Sequence, residues 1–278
     1  MNKDHTRKVL EEIQAQKKNL LRQTILVENT LEAAITNTVA AAVLNPTQRQ
    51  ALTQANTTSY GYFIATDSAF GNTILPELEQ YLQRVQGFDK PKVVLEQYET
   101  RPHIASCMLF TIASNGDIEE KSVMDLGCGC GMLTIGSSLL SADVVYALDI
   151  DSDALNIAQS NVYEFEMTNV DFVNVDVTSL TWHGGVDTVV MNPPFGTKTK
   201  GVDVLFIEKA LEMTQENCGV VYSLHKTSTR KYITTRFQNR PLKCQVVAEL
   251  RYDLPATYKF HKKQSVDIEV DLWRFQHI

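Results

Sequence analysis

At 278 residues, with 44% hydrophobic and 21% charged side chains, the chain has an ordinary globular composition and room for one large domain plus a smaller part. Its net charge of -7 excludes a polybasic chain that coats nucleic acid, while leaving room for a local basic patch. The opening MNKDHTRKVL carries no apolar signal core, and no apolar run reaches the ~18 residues of a membrane span, so an intracellular protein of nucleus and cytoplasm with no membrane partner is expected.

Residues 1–59 hold no Phe, Trp, Tyr or Gly. Val9, Leu10, Ile13, Leu20, Leu21, Ile25 and Leu26 fall at helical spacing among Lys, Glu and Gln, which predicts an amphipathic helix. One apolar stripe without aromatics buries too little to stand alone. The extension is therefore expected to be helical or partly disordered, and to dock on a partner or on the following domain. After Asn45-Pro46 and a polar stretch, residues 60–76 turn abruptly aromatic, which reads as a short binding motif or as a packing arm. Lys17-Lys18-x-Leu20-Leu21 and GYFIATDSAFGNTILP together resemble the SOSSC family, small adaptors of the SOSS single-stranded-DNA sensor complex, over roughly residues 5–76. That resemblance implies that residues 1–76 are an adaptor for other SOSS complex subunits, with a role in DNA repair.

Over residues 77–278 the pattern becomes alternating strands and helices. Apolar, β-branched runs predict strands at Ser122–Leu126, Val144–Ile150, Val170–Val175, Val186–Met191, Gly219–Leu224, Gln245–Leu250 and Val266–Phe275. Helical stretches such as Asp153–Glu164 and Asp203–Met213 lie between most of them. The alternation predicts an α/β doubly wound sheet of the Rossmann-like class I methyltransferase kind, seven-stranded and mostly parallel. No helix separates the last two strands, so they should form an antiparallel hairpin.

Asp125-Leu-Gly127-Cys-Gly129-Cys-Gly131 follows the first strand and opens a helix. Alternate glycines let the backbone turn sharply and let a ligand approach closely. The five cysteines lack the spacing of four zinc ligands, so no metal is expected and the thiols should pack as small apolar groups. Asp149, 22 residues beyond Gly127, ends the second strand, where a carboxylate accepts both ribose hydroxyls. Asp176 ends the third strand, placed to accept from an adenine amine, and the Val177 N–H can meet the ring. Acids after three strands suit a sulfonium nucleoside better than a dinucleotide, which points to S-adenosylmethionine. Asp151 and Asp153 read instead as capping acids.

The fourth strand stops at Asn192-Pro193-Pro194-Phe195, on the ligand side of an open α/β sheet. The Asn192 side-chain oxygen and the Pro193 carbonyl can each accept one hydrogen of a planar NH2, which aims the nitrogen lone pair at a methyl donor. The prolines, Pro194 included, stiffen this turn, and Phe195 offers a face on which a flipped base can stack.

LEQYETRPHIA (95–105), DLGCGCG (125–131), DIDSDAL (149–155), MNPPFGTK (191–198), YSLHK (222–226) and RYDLPATYKFHKKQSVDIEVDL (251–272) together resemble the methyltransferase-like protein five family. The resemblance implies N6-methylation of adenosine in small-subunit rRNA. It also implies that Gln97 and Thr100 close over the cofactor, and that Gly127, Cys130, Met132, Asp149, Asp176 and Val177 contact it. Met132 stands where a smaller apolar residue is expected. A heterodimeric partner is implied as well: a zinc-ribbon methyltransferase activator subunit that adds a strand to a sheet edge.

Lys259, His261, Lys262 and Lys263, interleaved with Tyr258 and Phe260, form a basic-aromatic patch between the last two predicted strands. With Lys198, Lys200, His225 and Lys226 it could track an RNA backbone, while the two histidines also suit structural contacts. Two other readings stay open. A glutamine side-chain amide presents the same NH2, which would make the chain a protein glutamine N5-methyltransferase. Alternatively, the extension would make it a binding module of single-stranded-DNA repair.

Overall fold

The computed structural model describes residues 69–216, 218–255 and 265–278. The expected amphipathic helix and the basic-aromatic patch, including Lys259, His261, Lys262 and Lys263, lie outside the described residues. The chain divides between Ile74 and Leu75, and the unit Leu75–Ile278 carries all strands of the described residues.

Helix α1 spans Ala69–Leu82 with Pro76 inside it. The expected boundary after residue 76 therefore falls within a helix, where Pro76 removes one backbone donor. Beyond it come a 3-10 turn at Val93–Leu95 and α2 (Pro102–Ser114), which starts on a proline that needs no N–H partner there. The remaining order is β1 (Ser122–Leu126), α3 (Met132–Leu139), β2 (Val144–Asp149), α4 (Ser152–Glu164), β3 (Val170–Asn174) and β4 (Thr188–Met191). It continues with α5 (Val202–Met213), β5 (Val220–Lys226), α6 (Arg230–Phe237), β6 (Leu242–Pro255) and β7 (Ser265–His277).

The sheet order is β3-β2-β1-β4-β5-β7-β6. Strands β1 to β5 pair in parallel, and β7 runs antiparallel to both β5 and β6. This is the anticipated seven-stranded methyltransferase fold. The final hairpin is longer than its apolar run suggested, because the backbone ladder continues to Pro255↔Ser265 through mixed residues, Arg251-Tyr-Asp-Leu-Pro255, that form no apolar run. At the other end Val186 makes an isolated bridge to Thr214 and lies outside β4.

Alternation along the strands separates two faces. Met124, Leu126, Leu148, Val189 and Met191 join one cluster with Ile207 of α5 and with Ile233 and Phe237 of α6. Ala147, of opposite parity, packs with Leu155 of α4 and Cys128. Gly136 of α3 leaves room for the neighbouring helices: a Cβ there would displace the end of the Leu109 side chain of α2, with Leu82 of α1 close by. The strand order reverses between the parallel neighbours β1 and β4, and the crevice beyond their carboxyl ends is where open α/β sheets bind ligands.

Candidate active site

The turn after β1 takes positive φ at Gly127 (74°), Gly129 (53°) and Gly131 (87°). The Leu148 carbonyl accepts the N–H groups of Gly127 and Cys128 at 2.8 and 2.9 Å, which holds the turn against β2. Gly129 suits its left-handed backbone, and a Cβ there would also press on the Phe88 ring at 3.0 Å. Its N–H is donated to Asp149 Oδ2 at 2.9 Å, while Asp151 N–H reaches Asp149 Oδ1 at 2.8 Å. These two bonds orient the Asp149 carboxylate and leave each oxygen a further lone pair for a hydroxyl. Burial pushes the Asp149 carboxyl above its ordinary value.

Asp125 differs from the expectation. It borders the cavity, but Thr134 Oγ1 donates to its Oδ2 at 2.6 Å, and burial lifts its carboxyl to about 7. Its observed bond is thus to α3, inside the protein. Asp176 caps the 3-10 turn Val177–Ser179, with Thr178 N–H and Thr178 Oγ1 both on Oδ1 at 2.9 and 2.7 Å. Capping thus explains Asp176 as well as Asp151, and Oδ2 takes neither of these bonds.

A cavity of about 330 Å³ opens here, bordered by Gly127, Cys130, Met132, Asp149, Asp176 and Val177. That volume lies in the range of small-molecule sites. Burial and the nearby carboxylates push the Cys130 thiol far up, so it lines the wall as a neutral group. Exposed Ile150 and Val94 also border the cavity, as does Phe88. Sequence reasoning passed over these three; Ile150 and Val94 adjoin the strand-end acid and the 95–105 motif, whereas Phe88 carried no such signal.

Residues 94–100 also line the cavity. Gln97 Nε2 donates to Asp151 Oδ2 at 2.7 Å and its Oε1 accepts Lys92 N–H at 2.7 Å. Lys92 Nζ donates to Asp151 Oδ1 at 2.5 Å and to Asp153 Oδ2 at 2.8 Å. Burial would raise the Asp151 carboxyl, but the bonds from Lys92 and Gln97 outweigh it and hold Asp151 below its ordinary value. Asp151 is therefore both the N-cap of α4 and the anchor of this wall, a role its spacing did not disclose.

Asn192 stands on the cavity wall just beyond β4. Its Nδ2 donates to Thr100 Oγ1 at 2.9 Å, while Oδ1 is buried without a hydrogen-bond partner. An unpaired buried amide oxygen is costly, roughly 1–3 kcal/mol, and a ligand N–H would relieve it. Thr100 accordingly orients Asn192 as well as lining the cavity. Pro194 borders the cavity too, whereas Pro193 is buried and neither it nor Phe195 is in the cavity wall. Phe195 is half-buried with Lys226 Nζ 5.3 Å above its ring, so the expected stacking face already carries a cation.

Lys198 and Lys200 are exposed and Lys226 is half-buried. His225 is buried, with Nε2 2.7 Å from Ser223 Oγ and Nδ1 3.8 Å from Asp203 Oδ2. That rules it out as a backbone contact for RNA and assigns it the structural alternative. Among the described residues no His/Cys/Asp/Glu group could hold a metal, and no helix is long and apolar enough to cross a membrane.

A Methyltransferase small domain model matches residues 100–248, and a model of the SOSSC family of the SOSS complex matches residues 28–81. The second match includes the aromatic 60–76 segment and begins after the Lys17-Lys18 stretch. The rRNA N(6)-adenosine-methyltransferase METTL5 of Danio rerio is 54% identical over 205 residues, covering 72% of this chain and 98% of that relative. The Mettl5 protein of Drosophila melanogaster, also an rRNA N(6)-adenosine-methyltransferase, is 52% identical over 73% of this chain and 96% of its own length. A crystal structure of a candidate RNA methyltransferase from Pyrococcus horikoshii superposes with a TM-score of 0.65 at 34% identity, covering 73% of this chain and 96% of that one.

Proposed function

Since the chain belongs to the rRNA N(6)-adenosine-methyltransferase family, we propose that it transfers a methyl group from S-adenosylmethionine to the N6 amine of an adenosine in small-subunit rRNA. The observation that carries this reading is the buried, unpartnered Oδ1 of Asn192 at the edge of a nucleoside-sized cavity.

The residues present fit that cofactor. Asp149, fixed by two backbone N–H groups, is suited to ribose hydroxyls, and Asp176 with the Val177 N–H to an adenine ring. Gly127, Cys130 and Met132 supply a close-approaching, uncharged wall, and Gln97 and Thr100 the facing one. When bound, the cofactor supplies an electrophilic methyl on a sulfonium. Asn192 Oδ1 and the Pro193 carbonyl accept the two amine hydrogens, drawing the nitrogen lone pair out of conjugation and aiming it at that methyl. No strong base is needed, because the amine loses its proton after it has gained the methyl.

The tertiary setting also favours a nucleic acid. The cation over Phe195, with Lys198 and Lys200 exposed a few residues further on, offers local positive charge beside the amine site in a chain of net charge -7. Lys226 would move over a phosphate as a base takes the ring. For the zinc-ribbon activator, edge strand β3 is the suited dock, with half-buried Val170, Phe172 and Val173 beside an unpaired ladder. Residues 28–81, matching the SOSSC model, support an adaptor contact with other members of such a complex.

The test is methyl transfer from labelled cofactor to rRNA and to a glutamine-bearing peptide in parallel, with the activator present. Label in N6-methyladenosine is expected. Label in the peptide alone would replace this reading with glutamine N5-methylation.

A further inference from the structure

Glu96 stands in the cavity wall with a left-handed backbone, φ 52° and ψ 40°. Residues bearing a Cβ are disfavoured there, and glycine or asparagine is the usual occupant. Its side chain does not turn out to solvent. It is buried, and Oε1 accepts the backbone N–H of Lys198 at 2.8 Å, three residues past Phe195. Four residues along, Thr100 Oγ1 accepts Asn192 Nδ2. The segment 96–100 thus grips the 192–198 segment at both ends, although the two are about a hundred residues apart in the chain. Between those grips Gln97 ties the same segment to Asp151 at the start of α4. Backbone strain that the surrounding structure enforces marks a side chain whose placement matters.

We infer that Glu96 is a positioning residue for methyl transfer, holding the chain at Lys198, three residues past the Asn192–Phe195 turn, as Thr100 holds Asn192 at its start. With both ends fixed, Asn192 Oδ1 and the Pro193 carbonyl keep one position relative to each other, and the amine they hold keeps one distance from the methyl. The same segment that walls the cofactor cavity therefore aligns the target amine, so the two sites assemble together. This inference rests on the assignment of Asn192–Phe195 as the amine site.

Three variants of the full-length chain test it: Glu96→Gln, Glu96→Ala and Glu96→Gly. Glycine adopts this backbone without strain, so its variant loses the carboxylate and keeps the turn. The measurements are kcat and KM with rRNA, Kd for S-adenosylhomocysteine, and hydrogen exchange of the Lys198 amide. Glu96→Ala and Glu96→Gly are expected to lower kcat by about thirtyfold, because small misplacements are expensive at a reacting centre, with KM and Kd changed less than about threefold. Lys198 exchange should speed up by about tenfold in both, as befits a freed amide. Glu96→Gln retains an acceptor oxygen and is expected to restore kcat and Lys198 protection. A glycine variant with wild-type kcat, or with an unchanged Lys198 amide, overturns the inference. So does a Kd that rises in step with the loss of turnover, which would make Glu96 a cofactor residue. If the wild-type chain methylates no RNA, the functional reading fails, and Lys198 exchange in the glycine variant still decides whether Glu96 holds the turn.

Discussion

Asn192 joins an oriented donor to an orphaned acceptor in one side chain. Replacing it with alanine removes the acceptor and leaves Asp149 and Asp176 untouched. We expect Asn192→Ala to lower turnover by roughly a hundredfold or more while the cofactor Kd stays within about threefold, measured by single-turnover transfer and calorimetry. A Kd that collapses would move Asn192 to the cofactor. Asp125 makes a different prediction. Its buried carboxyl is lifted to about 7, so the folded state binds a proton that the unfolded state has released above about pH 4. Folded-state proton uptake makes stability fall as pH rises from about 4 to about 7. Thermal unfolding of the cofactor-free protein across that window should show the decline, and Asp125→Asn should flatten it. An unchanged slope in that variant would assign the titration to another group.

At the scale of elements, the segment 92–100, which lines the cavity from Val94 onward, is joined to the start of α4 chiefly through Asp151. Asp151 takes Lys92, Gln97 and the N–H of Asp153. Asp153 takes only the outer bond from Lys92 and is largely exposed. Exposed pairs are worth little, whereas a lost N-cap costs about 1 kcal/mol before the wall is counted. Asp151→Ala is therefore expected to lower the melting temperature and to weaken cofactor binding about tenfold, and Asp153→Ala to change neither. Because Asp151 is held below its ordinary value, its contribution is complete above the usual carboxylate range and is lost only as pH falls through the lowered value. Equal losses in the two variants, seen in cofactor titrations, would show that the Lys92 pairing dominates over the cap and Gln97.

For the whole molecule, the question is how much chain the catalytic unit needs. The unit Leu75–Ile278 is entered through α1, whose Leu78 and Leu82 are buried. We expect a chain starting at residue 69 to retain rRNA methylation and its melting temperature. A chain starting at residue 83 loses two core leucines, at about 2–5 kcal/mol each by analogy with truncation to alanine, and should melt lower. Loss of turnover in the longer version would make residues 1–68 part of the active unit.

The mostly parallel seven-stranded sheet with its antiparallel final hairpin, the Gly127–Gly131 turn, and the strand-end positions of Asp149 and Asn192 were legible in the sequence because each is a local pattern. A β-branched run ends in a glycine turn, or a strand ends in an acid or an Asn-Pro-Pro, and parallel α/β topology then carries all of them to one edge of the sheet. The long β6–β7 ladder was only half legible, because its outer residues pair by backbone and show no apolar run. What only the tertiary structure decided are contacts between distant segments: Thr134 turning Asp125 inward, Asp151 serving as both cap and anchor, Glu96 and Thr100 gripping the turn after β4, and Lys226 over Phe195. The physical reason is that a side chain's charge state and aim depend on what packs against it, and spacing along the chain says nothing about a neighbour a hundred residues away.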